Sequence, residues 1–280
     1  MADTFQIAAY PFRIGLYPQL TAFERVLTQV LAAFRVLQPP SSPVPPHDPF
    51  EYYTRFGMLR SAADQNIYQV DIHLDPDADW VDPIRLVDAF EPQIVNQAVR
   101  ESPLSLWIHG ACLLRGKEPI LLVASTGAGK TTLSLGLLHQ GYRLLTDDII
   151  LVNPETQQLL PLPRCPKYRA DALENLRSIG FDLEYEARTL GHYVLLPPRY
   201  FQLQPVAHPI RRVYALQRDT EAAPGLRPLS LSDGLLALIP HSNLLAIDPE
   251  LTLAARLFAE TQFWSMNLSD FAGDIRQIAL

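Results

Sequence analysis

One stretch of this chain has the residue types and spacing to hold phosphate: Ala124-Ser125-Thr126-Gly127-Ala128-Gly129-Lys130-Thr131-Thr132. Gly127 and Gly129 allow a backbone path that wraps closely around an anion, with N–H groups free to point inward. A helix starting at this point adds unpaired N–H donors and a favourable dipole. Lys130 has the reach to meet terminal phosphates, and the Thr131 hydroxyl suits a magnesium ion. Nucleotide contacts are therefore assigned to Ser125, Thr126, Gly127, Ala128, Gly129, Lys130, Thr131 and Thr132. The first glycine usual in such loops is Ala124 here, which the looser form of the motif tolerates. The competing explanation, a glycine-rich turn with a chance Lys-Thr, is weakened by the flanks. Residues 119–123 are an apolar run that reads as a buried strand, and residues 131–139 read as a helix closed by Gly141.

Two further features could act on a phosphoryl group. Asp147 and Asp148 are adjacent carboxylates inside the apolar segment 142–152, a costly placement unless something binds them. An aspartate at the end of a strand beside a phosphate loop commonly holds Mg²⁺. In a regular strand only one of the pair faces the nucleotide, whereas a bend or bulge could aim both. His109 opens the string His109-Gly110-Ala111-Cys112 on the strand that precedes the loop. Taken alone, a single histidine is more often structural than catalytic. The basic cluster Arg164, Lys167 and Arg169 could clamp a phosphate or an anionic acceptor, or form a solvated basic loop.

The elements that must position these groups are legible as an α/β pattern with several antiparallel pairs. A strand at 4–10 and an amphipathic helix at 20–37 precede a proline-rich segment, 39–49, read as a linker or exposed loop with a proline-motif ligand as the alternative. Strands at 50–59 and 66–74 suggest an antiparallel hairpin, and residues 82–101 suggest a helix with Asp82 as N-cap, Pro83 at its first position and a kink or break at Pro92. From residue 104 the texture changes. Strands at 104–114 and 120–123 form a hairpin that feeds the phosphate loop, followed by strands at 142–152 and 211–217 and helices at 230–239 and 250–263. This divides the chain into an accessory α/β region, 1–100, and a nucleotide-binding domain, 101–280.

Composition narrows the setting. With 280 residues, 48% hydrophobic and 19% charged, the chain has the makeup of a folded protein with a sizeable core. A net charge of −7 argues against a broad nucleic-acid or anionic-membrane surface, while leaving room for a local basic site. The two cysteines, Cys112 and Cys165, make no disulfide framework, and the seven histidines and two cysteines show no zinc spacing. With neither a leader pattern nor a long apolar run, a cytoplasmic protein is expected.

His109-Gly110 on a strand, a turn, a strand entering Gly127-Ala128-Gly129-Lys130-Thr131, a helix ending in Gly141-Tyr142-Arg143, and then Asp147-Asp148 resembles the core of the HPr kinase/phosphorylase family. The string Gly129-Lys130-Thr131-Thr132-Leu133-Ser134 is also similar to ATP-type phosphoenolpyruvate carboxykinases, whose nucleotide-binding core is related. The resemblance covers residues 104–155 most strongly and implies a mixed-sheet P-loop core. It also implies ATP with Mg²⁺, Lys130 and Thr131 on phosphates and metal, Asp147 on the metal, Asp148 as general base, and His109 on the acceptor side. The glycine-rich, glutamate-bearing signature of HPr kinases proper is absent, and Pro163-Arg164-Cys165-Pro166-Lys167-Tyr168-Arg169 stands downstream of the aspartates instead. The resemblance therefore stops short of naming HPr as acceptor. The expected function is phosphoryl transfer from ATP to a hydroxyl of a protein, peptide or small molecule. The alternative is a non-catalytic nucleotide-binding regulator acting through a partner. The acceptor's identity and the oligomeric state, a homo-oligomer included, stay open.

Overall fold

Alternation of apolar and polar residues, closed by tight turns, organises the N-terminal part of the chain into one sheet with helical cover. The computed structural model describes residues 4–7, 10–36, 50–64, 67–100, 106–207, 209–219, 221 and 223–279, and the proline-rich segment 39–49 lies outside them. The chain divides into two compact units, Met1–Pro103 and Leu104–Leu280.

The first unit contains β1 (Thr4–Ile7), β2 (Tyr10–Tyr17), α1 (Thr21–Val30), β3 (Arg35–Val36), β4 (Phe50–Thr54), β5 (Gly57–Asp64), β6 (Ile67–Leu74) and α2 (Pro83–Arg100). Its sheet runs β3-β1-β2-β6-β5-β4, with β2 and β6 parallel and the other neighbours antiparallel. Ile14, Leu16, Val70 and Ile72 are buried from the sheet, and the Phe23 and Phe90 rings of α1 and α2 meet at 6.1 Å.

Several expectations change here. Residues 50–59 are not one strand, because the chain turns at Arg55 and Phe56 and returns as β5. The helix expected to run to 37 stops at Val30 and gives way to a short 3₁₀ turn and an edge strand. The strand expected at 4–10 is described over Thr4–Ile7, and Tyr10 belongs to β2, which pairs antiparallel with it. Asp82 does cap α2, its Oδ1 accepting the Ile84 N–H at 2.9 Å, and the helix continues unbroken past Pro92.

The second unit is built on β7 (Leu106–Arg115) and β8 (Glu118–Val123), an antiparallel hairpin whose inner residues are almost all buried. After the phosphate loop come α3 (Lys130–His139), β9 (Arg143–Thr146), β10 (Ile149–Val152), β11 (Gln158–Leu160) and α4 (Ala170–Ser178). Next follow a short helix, α5 (Leu183–Glu186), and a two-stranded ribbon, β12 (Arg188–Leu190) with β13 (Tyr193–Leu195). The unit continues with β14 (Val206–Ala207), β15 (Arg212–Gln217), β16 (Gly225–Leu229), α6 (Leu231–Leu238), α7 (Leu244–Ile247), α8 (Thr252–Leu257), β17 (Gln262–Asn267) and α9 (Phe271–Ala279). The main sheet runs β14-β11-β10-β7-β8-β15-β17-β16, with β9 also pairing β7. Within this sheet β15 runs parallel to both β8 and β17, so the phosphate loop leaves the sheet at the C-terminal end of a small parallel block. That is where open α/β sheets bind ligands.

The core packs Leu121, Val123, Val213, Phe258 and Phe263 against Ile108, Ile150 and Leu238. Helix α3 is apolar on nearly all sides, with Leu133, Leu135, Leu137 and Leu138 buried, as befits a helix enclosed by other elements. It closes at Gly141 through paired bonds, Gly141 N–H to Leu138 O at 3.1 Å and Tyr142 N–H to Leu137 O at 3.2 Å. The helix expected at 250–263 is shorter: α8 ends at Leu257, and β17 follows as a strand of the parallel block. Among the described residues, no helix is long and apolar enough to cross a membrane.

Candidate functional site

The segment expected as a strand at 142–152 lies along one edge of β7, broken in the middle: Thr146 stands opposite Cys112 and Ile149 opposite His109, and before Thr146 a β-bulge shifts the register by one residue, with Leu144 opposite Leu113. The break is Asp147-Asp148. Asp148 has φ +82°, a left-handed conformation that aspartate tolerates better than most residues. Thr146 Oγ1 spans the corner by donating to Ile149 O at 2.5 Å, and Gly110 N–H donates to Asp148 O at 3.0 Å, which carries the ladder through it. The corner directs both carboxylates to one cavity. This space, about 240 Å³, is lined by His109 and both aspartates on one side and by Thr126, Gly127 and Gly129 through Thr132 on the other.

The loop reaches α3 through two residues in the left-handed region, Gly127 at φ +85° and Gly129 at φ +110°. A side chain at either position would also meet an arginine. A Cβ on Gly127 would stand 3.4 Å from the Arg169 guanidinium, and one on Gly129 would stand 3.3 Å from that of Arg218. The Lys130 ammonium is folded back on its own loop. It donates to Ala124 O at 2.7 Å and Ser125 O at 3.2 Å and meets His109 Nε2 at 3.1 Å. Burial depresses its pKa, opposed by the charges of Asp147 and Asp148.

The two aspartates have opposite environments. Asp147 is buried at 5% exposure. Its Oδ2 accepts the Thr131 hydroxyl at 2.9 Å, and its Oδ1 has no hydrogen-bond partner among the described residues. Burial pushes its carboxyl up to about 6, against the Thr131 hydrogen bond and with the Asp148 charge adding to the rise. Asp148 is about half exposed, 48% for its side chain, and is doubly engaged: Oδ2 with Arg164 Nη1 at 2.6 Å and Oδ1 with His109 Nδ1 at 3.2 Å. Burial works to raise this carboxyl too, yet the His109 hydrogen bond and the Arg164 charge prevail and hold it well below the usual carboxylate range. His109 Nδ1 also lies 2.9 Å from Asp148 O. Lys130 can only donate to Nε2, which leaves Nδ1 as the ring nitrogen facing the Asp148 oxygens.

The basic cluster separates. Arg164 is buried at 6% exposure, paired with Asp148, and is not among the residues lining the cavity. Lys167 and Arg169 line the cavity, and the Lys167 ammonium also sits 4.8 Å from the centre of the Tyr193 ring. Arg218, unremarked in the sequence, joins them at the C-terminal end of β15. Its signal was a lone basic residue directly after a strand, which gains meaning only once that strand is known to lie parallel to β8. Cys165 is not among the residues lining the cavity, and Cys112 is buried in β7, where loss of solvent pushes its thiol well up.

No protein-family model matches the chain, and no sequence among the curated proteins is significantly similar to it. Among solved structures, the Hpr(Ser) kinase/phosphatase from Coxiella burnetii is similar over 62% of this chain and 87% of that one, at 14% identity and a TM-score of 0.34. A likeness this distant decides nothing about individual residues.

Proposed function

We propose that the second unit transfers a phosphoryl group from ATP to a hydroxyl acceptor. The observation that carries this reading is the sharing of one cavity by the phosphate loop and the His109, Asp147 and Asp148 side chains. A site for binding alone has no need of two carboxylates facing four cations, Lys130, Lys167, Arg169 and Arg218. Magnesium fits the residues present. Asp147 Oδ1 is buried without a partner beside the Thr131 hydroxyl, an oxygen donor set of the kind that holds Mg²⁺ together with nucleotide phosphates and water. Bound there, the ion would neutralise charge on the phosphates.

In the proposed step the acceptor oxygen forms a bond to the γ-phosphorus, the bridging O–P bond breaks, and ADP leaves. Lys130 turns from the Ala124 and Ser125 carbonyls to the phosphate oxygens. Asp148 orients the hydroxyl and takes its proton, with His109 beside it. In a loose transition state the nucleophile needs little deprotonation before bond formation. A carboxylate held low by Arg164 can therefore still serve, chiefly by positioning.

The Arg164–Asp148 pair also favours a second reading, a nucleotide-binding regulator in which Asp148 is purely structural. Water can stand in for the unidentified acceptor, which makes the two readings separable by ATP hydrolysis and calorimetry. Asp148→Asn is expected to keep nucleotide affinity and to lose turnover by ~10²–10⁴-fold. Lys130→Ala is expected to lose turnover and most nucleotide affinity. Wild-type turnover in Asp148→Asn would leave the regulator as the better reading, and undiminished binding and turnover in Lys130→Ala would remove the phosphate-loop assignment itself.

A further inference from the structure

Strand β7 changes partner along one edge. From Gly110 onward it pairs with β8, which ends at Val123 opposite Gly110 and leaves for the phosphate loop. Toward the start of β7 the same edge is taken by the segment between α6 and α7, where Ser242 stands opposite Ile108 in an antiparallel bridge. The next pair in that register is His241 and His109. Residues directly opposite in an antiparallel pair point to the same face, with Cβ atoms ~4.5–5.5 Å apart. His109 faces the phosphate cavity. We propose that His241 is a third acceptor-side residue, whose imidazole N–H holds the attacking oxygen in line with the γ-phosphorus. The proposal rests on the transfer reading above.

The chemistry of an incoming hydroxyl calls for such a group. Its oxygen has one proton and two lone pairs. In the transfer step Asp148 takes the proton, and one lone pair forms the bond to phosphorus. Held by Asp148 alone, the oxygen can still swing about that hydrogen bond. An N–H on the second lone pair removes this freedom and leaves the other directed at phosphorus. His109 is committed elsewhere, since its Nδ1 faces the Asp148 oxygens and its Nε2 accepts from Lys130. His241 is half-buried, and its ring has no hydrogen-bond partner among the described residues. Burial, and then the charges of His109 and Lys130, lower its pKa, so the ring is within electrostatic reach of both groups. At neutral pH the imidazole is therefore uncharged, with one N–H to donate. His241 does not itself line the cavity while the Lys130 ammonium sits 3.1 Å from His109 Nε2. When Lys130 turns to the phosphates, that space passes to the attacking oxygen.

The backbone beneath His241 is fixed on both sides. The Trp107 N–H donates to Asn243 Oδ1 at 3.0 Å, and the Asn243 N–H donates to Trp107 O at 3.3 Å. Ser242 Oγ donates to Leu238 O at 3.0 Å and accepts the Leu244 N–H at 3.3 Å. The single 3₁₀ turn Ile239–His241 is thus tied to α6, α7 and β7 by the residues around it. A side chain whose root is already held loses less freedom when it meets a substrate.

Steady-state ATP hydrolysis by the full chain with Mg²⁺, water supplying the attacking oxygen, tests this together with calorimetry of ADP. His241→Ala is expected to lower kcat on the order of 10²-fold, with the KM for ATP and the ADP affinity within about threefold of wild type. His241→Gln, which restores an N–H donor at similar reach, is expected to recover about tenfold of that loss. Wild-type kcat in His241→Ala, where Asp148→Asn is inactive, would overturn the role of His241 and leave the transfer reading standing. Equal loss of kcat in the alanine and glutamine variants would overturn the hydrogen bond. Loss of ADP affinity in both would overturn it too, by assigning His241 to the fold. Wild-type turnover in Asp148→Asn, or none in the wild-type protein, would overturn the transfer reading and this proposal with it.

Discussion

Asp147 shows how function and stability pull against each other at a single residue. Its carboxylate is buried with one oxygen unpartnered, and its pKa rises from the ordinary 3.8 to about 6. Because the folded protein holds this proton more tightly than the unfolded chain, stability from this group is present below about pH 4 and is lost as pH rises through about 6. A shift of that size corresponds to on the order of 3 kcal/mol. Asp147→Asn removes the charge at nearly the same volume, so the ligand-free variant should be more stable than wild type by about 1–3 kcal/mol at pH 8. The gap should shrink toward pH 4, where the wild-type carboxyl is already neutral. The same variant should lose the thermal stabilisation that Mg²⁺ and nucleotide confer. Melting curves at both pH values check this, and an Asn variant that is less stable than wild type at pH 8 would show that the unpartnered oxygen is not a liability. Asp147 was legible in the sequence as a charged residue in an apolar run. Its contrast with Asp148 was not, because that depends on Arg164 approaching from a segment with no regular secondary structure.

At the scale of elements, β7 explains why a glycine follows His109. A Cβ on Gly110 would lie 2.6 Å from the Leu122 carbonyl oxygen of β8 and 3.0 Å from Ile150 Cδ1 of β10. The first of these is backbone inside a hydrogen-bonded ladder and cannot swing aside. Gly110 also donates to Asp148 O, so any displacement reaches both His109 and the corner that aims the aspartates. Gly110→Ala is therefore expected to destabilise the protein by about 1–3 kcal/mol, and to reduce ATP turnover more than nucleotide affinity. Denaturant unfolding and calorimetry measure the two effects, and an alanine variant with wild-type stability and turnover would show that the ladder has slack there. The strand–loop–helix order around residues 119–139 could be read from sequence because its signals are local: glycines, a lysine-threonine pair and an apolar run. β17 could not. As a parallel strand beside β15 it is buried on both faces, and Phe263, Ser265, Met266 and Asn267 give no clean alternation to separate it from the preceding helix.

Across the whole molecule, charge and connectivity are arranged against the average. The chain carries a net charge of −7, yet the phosphate cavity is lined by Lys130, Lys167, Arg169 and Arg218, drawn from the loop, the stretch before α4 and the end of β15. Composition could only leave room for such a site, since pairing β15 with β8 is a long-range event that no local pattern encodes. Concentrating cations in a cleft focuses the field on an anionic ligand, so nucleotide association should slow as salt rises. Every residue lining this cavity falls between His109 and Arg218, within the unit Leu104–Leu280. That unit has its own sheet and its own core, and the cavity draws on no residue before Leu104. We therefore propose the second unit as the nucleotide-binding part and the first as accessory to it. Residues 104–280 produced alone should melt cooperatively and bind Mg²⁺ and ADP within a few-fold of the full chain, measured by calorimetry. A cooperative fold that no longer binds ADP would show that the first unit completes the donor site, and the division of labour proposed between the units would have to be abandoned.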